Sequence, residues 1–556
     1  MTHGRDKRIL YAAAFTLYLA VGYWLQVRQG YILGDALARV SAAQSVVSSR
    51  DPHLAAIGFV FTPLTAMFEI PGVLLSPVFP AMTERAFAGS IMSAIFMAGA
   101  VVQVLSVGTD RGLGRWFAVT VAVLFAVNPM IVFYGSNGMS EAPFLFFLLW
   151  AVRRLIAWVG DDDVHHLVTA GFIAMGLAYL TRYDAVAAIA AAGVIVGVIT
   201  YRRATSGSRL HRALLDLLMV SGPGLASFVG WAATSWLITG EAFAQFSSQY
   251  GNAAIIEQTG GSASSSLVSG LTFGATCILL LAPTLIPLAC WAGLLRWGRP
   301  AWAVLAVPVG MFGAVLAFQA YSYASGSTFP FLRFYIVAIP FAACMAMLAV
   351  ADGTPVPAKR RGRFAPPPAP PDAVRLGRAW PAVVAMVFAV SVPSTAWAIR
   401  QPRYAPQEYA LGTVLDPDPD SVSAQEAVEH RIAVSFSTER RIAAYLDGLD
   451  LPEGSIITDT VYGFAVVAAS RKPRTFVVPS DPDFVRLLND PVALGVRYLL
   501  AVPPTGRGVS DALNVRYPTL YETGADIGTL ALEVPNDGDS QPDWRIYRVY
   551  EPPADG

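Results

Sequence analysis

Asp35 stands in the run Gly34-Asp35-Ala36-Leu37-Ala38-Arg39, soon after the first long apolar stretch of the chain. A carboxylate there either caps a helix by accepting backbone N–H bonds or takes a proton from a reacting group. The two uses are compatible, because a cap faces solvent. The helix itself reads as amphipathic, with Leu37, Val40, Ala43, Val46 and Val47 on a side that can lie on a membrane. Further along come Asp51 and His53 in Ser49-Arg50-Asp51-Pro52-His53, then Ser140-Glu141, Arg182 and Asp184 in Tyr179-Leu180-Thr181-Arg182-Tyr183-Asp184, and Arg333 in Arg333-Phe334-Tyr335. Arginines 39, 182 and 333 are permanent cations with forked donors, suited to phosphate or carboxylate. Each residue also has a plainer use. Arg333 can be an interfacial anchor, Arg182 a local partner of Asp184, Glu141 a charge favoured by a helix N-terminus, and His53 an ordinary loop histidine.

The elements that carry these residues are apolar. Of 556 residues, 54% are hydrophobic and only 14% charged, against about 25% charged in soluble proteins. The solvent of most of the chain is therefore lipid. Stretches long enough for roughly 30 Å of hydrocarbon lie near 9–26, 87–107, 116–134, 141–159, 166–182, 184–200, 213–238, 267–294, 301–322, 331–350 and 380–399. The first follows a basic start without a cleavage site and reads as an uncleaved anchor. Segment 61–79 is also apolar but holds Glu69 and several prolines. If it does not cross, Arg111/Arg115, Arg153/Arg154, Arg202/Arg203 and Arg296 share the N-terminal side, which satisfies the positive-inside rule. Segment 61–79 is thus expected to be a surface or partly inserted helix.

The expected organisation is a transmembrane region over 1–350 with interfacial helices in 28–86. A disordered basic and Pro-rich cytoplasmic loop over 351–379, a last span at 380–399 and an extracytoplasmic domain over 400–556 follow. In the last part helical stretches (439–446, 462–469, 483–488) alternate with β-rich runs (455–458, 475–478, 497–502), with added strands near 530–534 and 544–550. That alternation predicts a small, mostly parallel α/β sheet. Candidate site residues gather at the extracytoplasmic ends of the spans. No acid or histidine is placed mid-span, where an ion or proton carrier would need one.

Other signals carry less. The three cysteines lie in apolar runs without metal or disulfide spacing. Asp416-Pro417-Asp418-Pro419-Asp420 reads as a solvated turn, Asp161-Asp162-Asp163 beside His165-His166 as a solvated loop, and Gly222-Pro223-Gly224 as a packing point within a span. No phosphate-loop, zincin or nucleophile-elbow motif is present. The zero net charge argues against nucleic acid.

In order, Gly34-Asp35, Ser49-Arg50-Asp51-Pro52-His53, Phe61-Thr62-Pro63-Leu64, Ser140-Glu141, the 179–184 turn and Arg333-Phe334-Tyr335 resemble the GT-C superfamily of polyprenyl-phosphate-sugar-dependent glycosyltransferases, over about residues 9–350. The sequence departs from many relatives in having Asp35-Ala36 and Thr62-Pro63 where they carry paired acids or Pro-Pro. The resemblance implies a GT-C-like polytopic helical membrane protein with about 11 transmembrane helices and a C-terminal extracytoplasmic α/β domain. It implies an inverting sugar transfer in the plasma membrane, from a polyprenyl-phosphate donor to a glycan, lipid or protein acceptor, with neither cofactor nor metal assigned. Asp35 would be the base, Arg182 and Arg333 the phosphate ligands, and Arg39, Asp51, His53, Glu141 and Asp184 substrate-binding. The alternative is a multispan transporter or flippase.

Overall fold

A computed structural model describes residues 2–204, 207–244, 252–258, 266–296, 302–351, 379–416 and 423–551. Residues 352–378 of the expected loop, and 417–422 with most of the 416–420 turn, lie outside the described residues.

Among the described residues, eight helices are long and apolar enough to span a membrane: α1 (Gly4–Arg28), α4 (Phe87–Asp110), α6 (Glu141–Asp161), α7 (Val164–Thr181), α8 (Ala185–Arg203), α9 (Arg209–Thr239), α12 (Trp302–Ala324) and α14 (Trp380–Ala398). Between α1 and α4 lie α2 (Gly34–Ser48) and α3 (Pro63–Val73). A further pair, α10 (Leu267–Leu281) and α11 (Leu285–Leu294), is bent by 78° at the intervening break. Two shorter apolar helices, α5 (Arg115–Ala126) and α13 (Leu332–Leu348), complete the set. Every expected apolar stretch thus falls on a helix among the described residues, though fewer than eleven are full-length straight spans. Near 116–134 the cause is local: the Asn128 side chain caps a new helix at Met130 N, with Pro129 at its first turn.

The bundle interior is one apolar cluster built mainly from α4, α6, α7, α8, α12 and α13. Small residues let the helices approach. Gly171 of α7 is so close to α9 that a Cβ would stand 2.2 Å from the Met219 carbonyl oxygen, and one at Gly224 would stand 2.6 Å from Ile189 Cδ1. Gly222-Pro223-Gly224 is accordingly a packing point. Near the first end of α9, Asp216 is fully buried and accepts a hydrogen bond from Thr200 Oγ1 at 2.7 Å. At one end of the bundle Arg111 and Arg296 donate to the last carbonyls of α13, at Met347 (2.6 Å) and Leu348 (2.5 Å), which completes a helix C-terminus with cations.

Of the two interfacial elements, α2 differs from expectation in its neighbours. Helix α3, of 11 residues, is too short to cross a bilayer and packs on α2 and α4. The apolar side of α2 does not face lipid. Leu37, Val40 and Ala43 are buried with Ala66 and Val73 of α3 and with Phe436, Ala465 and Ala468 from the chain's last part. A protein surface covers the stripe that the amphipathic pattern assigned to a membrane.

That last part contains α15 (Ser437–Gly448), β1 (Ile456–Ile457), α16 (Phe464–Ala469), β2 (Phe476–Val477), α17 (Phe484–Asn489), β3 (Tyr498–Ala501), β4 (Gly528–Val534) and β5 (Trp544–Val549). The sheet order is β2-β1-β3-β5-β4. Pairs β1–β2 and β1–β3 are parallel, while β3–β5 and β4–β5 are antiparallel. The sheet is therefore evenly mixed rather than mostly parallel, because 528–549 is a hairpin laid against β3. Apolar clusters cover both faces, with Ile457, Leu499 and Tyr547 on one and Ile456, Leu500 and Ile546 on the other. Double-sided burial explains why Tyr498-Leu499-Leu500-Ala501 reads as a continuous apolar run.

Candidate functional site

Helix α2 begins at Gly34 with Leu33 as its cap residue and no side-chain capping bond. Asp35 is therefore in the first turn and is not the cap. Its carboxylate turns instead to Arg333, whose Nη2 lies 3.1 Å from Oδ2. The Asp35 side chain remains 41% exposed, whereas that of Arg333 is 6% exposed, so the pair has an open, acidic side and a buried, basic side. The surrounding protein penalises charge on Asp35, but Arg333 and Arg39 outweigh this and hold its carboxyl below the usual carboxylate range.

Arg333 is fixed from several directions. Nη1 donates to Gln407 Oε1 at 3.1 Å, the ring centroids of Phe331 and Phe334 lie 4.9 and 5.4 Å from its guanidinium carbon, and Nε has no hydrogen-bond partner among the described residues. The guanidinium carbon of Arg182 lies 5.9 Å from the same Phe334 ring. Arg182 follows the end of α7 at Thr181. Its Nη1 donates to Glu141 Oε1 at 2.7 Å and Nε to Asp184 Oδ1 at 3.1 Å. Asp184 also accepts from Gln319 Nε2 of α12 at 2.8 Å. Glu141 opens α6 and is fully buried. The local Arg182–Asp184 pair and the longer Arg182–Glu141 pair thus exist together.

Arg39, one turn after Asp35, donates to the Asp35 carbonyl at 2.9 Å and stacks over Phe61 at 4.2 Å. Its Nη1 also contacts Met139 Sδ at 3.8 Å, next to Ser140 and Glu141. Six expected residues, Asp35, Arg39, Glu141, Arg182, Asp184 and Arg333, are therefore brought into one continuous set of contacts. Asp51 and His53 are not. His53 Nδ1 lies 2.7 Å from the Asp51 carbonyl, and no hydrogen bond or ion pair joins either residue to the set among the described residues. The preceding residue shows why: Arg50 is drawn away to Asp483 (3.0 Å) and Asp481 (3.5 Å) of the α/β part.

Several members were missed. Gln407 and Glu408 come from the segment after α14. Glu408 is buried and accepts from the Tyr134 hydroxyl, while the Tyr31 hydroxyl donates to the Gln407 carbonyl at 2.6 Å. A polar run just beyond a span, on the site's side of the bundle, was the available signal. Glu69 of α3 is fully buried with both carboxylate oxygens lacking hydrogen-bond partners among the described residues; burial pushes its carboxyl well above the usual range, against the opposing pull of Arg39. No group of three or more His, Cys, Asp or Glu suited to a metal occurs among the described residues. Near Asp161, His166 Nε2 simply pairs with the carboxylate at 3.1 Å.

The arrangement offers a partly open carboxylate beside two buried guanidiniums that both approach one aromatic ring. Chemically it can accept a proton at Asp35 and bind an anion at Arg333 and Arg182.

No family model and no curated protein matches the sequence. Solved structures do. ArnT from Cupriavidus metallidurans bound to undecaprenyl phosphate aligns with a TM-score of 0.52 at 15% identity, over 98% of this chain and 99% of that one. Its apo state aligns with a TM-score of 0.50 at 14% identity over the same shares. The chain shares its fold with these two structures over nearly the whole length of both.

Proposed function

We propose that this chain is an inverting glycosyltransferase that moves a sugar from a polyprenyl-phosphate donor to an envelope glycan, lipid or protein acceptor. The observation that carries the reading is the Asp35–Arg333 pair, half open to solvent, with Arg182 near the same Phe334 ring as Arg333. A protein of the same fold has been solved with undecaprenyl phosphate bound, and that ligand class suits two buried, unexchangeable cations.

In the proposed reaction the acceptor hydroxyl oxygen attacks the anomeric carbon as the carbon–oxygen bond to phosphate breaks. The hydroxyl proton passes to the Asp35 carboxylate. The bonding electrons leave with the lipid phosphate, whose growing charge Arg333 and Arg182 stabilise in surroundings poor in water. Arg333 Nε, without a partner among the described residues, is the donor left over for a phosphate oxygen. A phosphate there also competes with Asp35 for Nη2 and so loosens the base toward its acceptor. With one base and no second carboxylate placed as nucleophile among the described residues, a single displacement inverts the anomeric centre. Arg39 holds the first turn of α2, and Glu141 and Asp184 hold Arg182. Asp51 and His53 are left for contacts with a bulky acceptor.

We assign the site to the extracytoplasmic face of the plasma membrane. Arg111, Arg153, Arg202 and Arg296 lie toward the opposite ends of the same helices, as the positive-inside rule requires of the cytoplasmic side.

Asp35→Asn keeps shape and removes the base. The variant is expected to insert and express normally while sugar transfer falls by at least roughly 10²-fold. Retained transfer would falsify the assignment of Asp35. Flux of an unmodified lipid-linked sugar across sealed vesicles, unaffected by the substitution, would favour the transporter reading instead.

A further inference from the structure

Away from the transfer site, two guanidiniums from distant parts of the chain meet at Gly30. Gly30 adopts a φ of +75°, and a Cβ there would stand 2.9 Å from Nη1 of Arg85 and 3.3 Å from Nη2 of Arg440. Glycine adopts this backbone turn without strain and, lacking a Cβ, lets both cations approach closely. Arg85 precedes α4, and Arg440 belongs to α15. Like charges facing each other across a glycine repel, so something must offset them. Glu84 lies 3.6 Å from Arg85 Nε. Glu439, next to Arg440, accepts at Oε1 from Trp544 Nε1 at 3.0 Å and Asn536 Nδ2 at 2.7 Å, while its buried Oε2 makes no hydrogen bond among the described residues, to Arg440 or any other donor. Nη1 of Arg440 is buried and has no hydrogen-bond partner among the described residues. Burial and the neighbouring Arg85 together push the Arg440 guanidinium down to about 10. A buried donor without an acceptor, beside a second cation, is the signature of an anion that belongs there.

The surroundings say where that anion resides. Gly30 follows the end of α1 at Arg28, and Arg85 precedes the start of α4 at Phe87. The Tyr23 and Phe87 rings lie 5.8 Å apart, so these two span ends sit side by side. The cluster is therefore level with one membrane boundary, the one to which the α/β part is attached. Beside it, Leu74, Leu75 and Val78 are 58%, 53% and 88% exposed, and Phe79 packs edge-on against Phe87 at 5.9 Å. Large exposed aliphatic side chains at a span end are stable when acyl chains cover them. Arginines directly beside such an anchor sit at the depth of lipid phosphates. The Arg85 side chain is 28% exposed, which leaves an approach from that side.

We propose that Arg85 and Arg440, closing on Gly30, form a phosphate-binding site for an anionic lipid head group. The lipid seats the α/β part against the membrane through residues 74–79. This site goes beyond the transfer reaction and uses none of its residues.

The test uses the full chain in nanodiscs of phosphatidylcholine alone, of phosphatidylcholine with phosphatidylglycerol, and of phosphatidylcholine with inorganic phosphate added. The melting midpoint is expected to rise by a few degrees with phosphatidylglycerol, as for any ligand of the folded state alone. Arg440→Gln should abolish that rise and lower retention of phosphatidylglycerol in native mass spectra by about tenfold. Glu84→Gln, which removes the competing carboxylate, should enlarge it. A rise produced equally by inorganic phosphate, and lost in Arg440→Gln, would keep the phosphate site and make the free ion its ligand. No rise in either medium, or one that survives Arg440→Gln, overturns the proposal. Sugar transfer should persist in Arg440→Gln, so failure here is separable from failure of the catalytic assignment.

Discussion

At the scale of single residues, the site is an exposed carboxylate held by a buried cation. Two effects oppose each other at Asp35: its surroundings disfavour charge, and Arg333 with Arg39 favours it. The cations win, so the carboxyl stays ionised to a lower pH than usual, and the acid limb of kcat/KM should fall below the ordinary carboxylate range. Arg333→Gln removes the largest favourable influence and leaves the desolvation. The limb should then shift to higher pH, and a pH–rate profile reads the shift directly. The same substitution should weaken the donor phosphate complex by roughly tenfold or more, seen as a rise in KM for the lipid donor. A limb that stays in place would mean that Arg333 does not govern the base. Asp35, Arg182 and Arg333 were legible from the sequence because a charge beside an apolar span is costly and needs a reason. Gln407 and Glu408 were not, because a polar residue in a polar tail carries no such contrast.

At the scale of elements, the short helix Ala512–Arg516 shows how capping competes with charge. Asp511 caps it, accepting from Leu513 N at 2.9 Å and Asn514 N at 3.4 Å. Asp459, just past β1, accepts from Ala512 N at 2.8 Å. Two carboxylates thus share one helix start. Burial, then the neighbouring Asp459, pushes the Asp511 carboxyl well above its usual range. The folded chain therefore holds a proton that the unfolded chain has released, and stability falls as pH rises from the unfolded carboxylate range toward the raised value. Asp511→Asn keeps an oxygen for the cap and removes the titration. Its melting temperature relative to the parent should gain steadily from mildly acidic to neutral buffer; a gain independent of pH would refute the shared-charge account. Sequence pattern located β1 to β5, since each is bounded by turn residues. It misjudged the pairing, because whether 528–549 enters the sheet parallel or antiparallel depends on where the hairpin docks.

At the scale of the whole molecule, the bundle and the α/β part are joined by polar ties around α2. Arg50 pairs with Asp481 and Asp483, and Leu332 N donates to the Tyr404 carbonyl at 2.7 Å. Arg50→Ala would leave Asp481, whose side chain is 1% exposed, buried without its cation. The expected cost is about 1–3 kcal/mol, measurable as a lower unfolding midpoint of the full chain. Transfer should weaken as well, because Phe436 and α16 pack against the helix that carries Asp35. If unfolding is unchanged, the seam rests on its apolar contacts alone.

The sequence by itself determined which stretches are helical and lipid-bound, and that charges collect at their ends, a band of arginines at one end and the candidate site residues at the other, since burying apolar area and avoiding charge in hydrocarbon are local demands. Tertiary structure decided which charges meet. Asp35 and Arg333 are paired across 298 positions, Arg50 is taken by the α/β part, and the apolar side of α2 is claimed by protein and not by lipid. Periodicity can mark a side as apolar but cannot name what covers it, and an ion pair depends on separation in space, which the chain sets only when it folds.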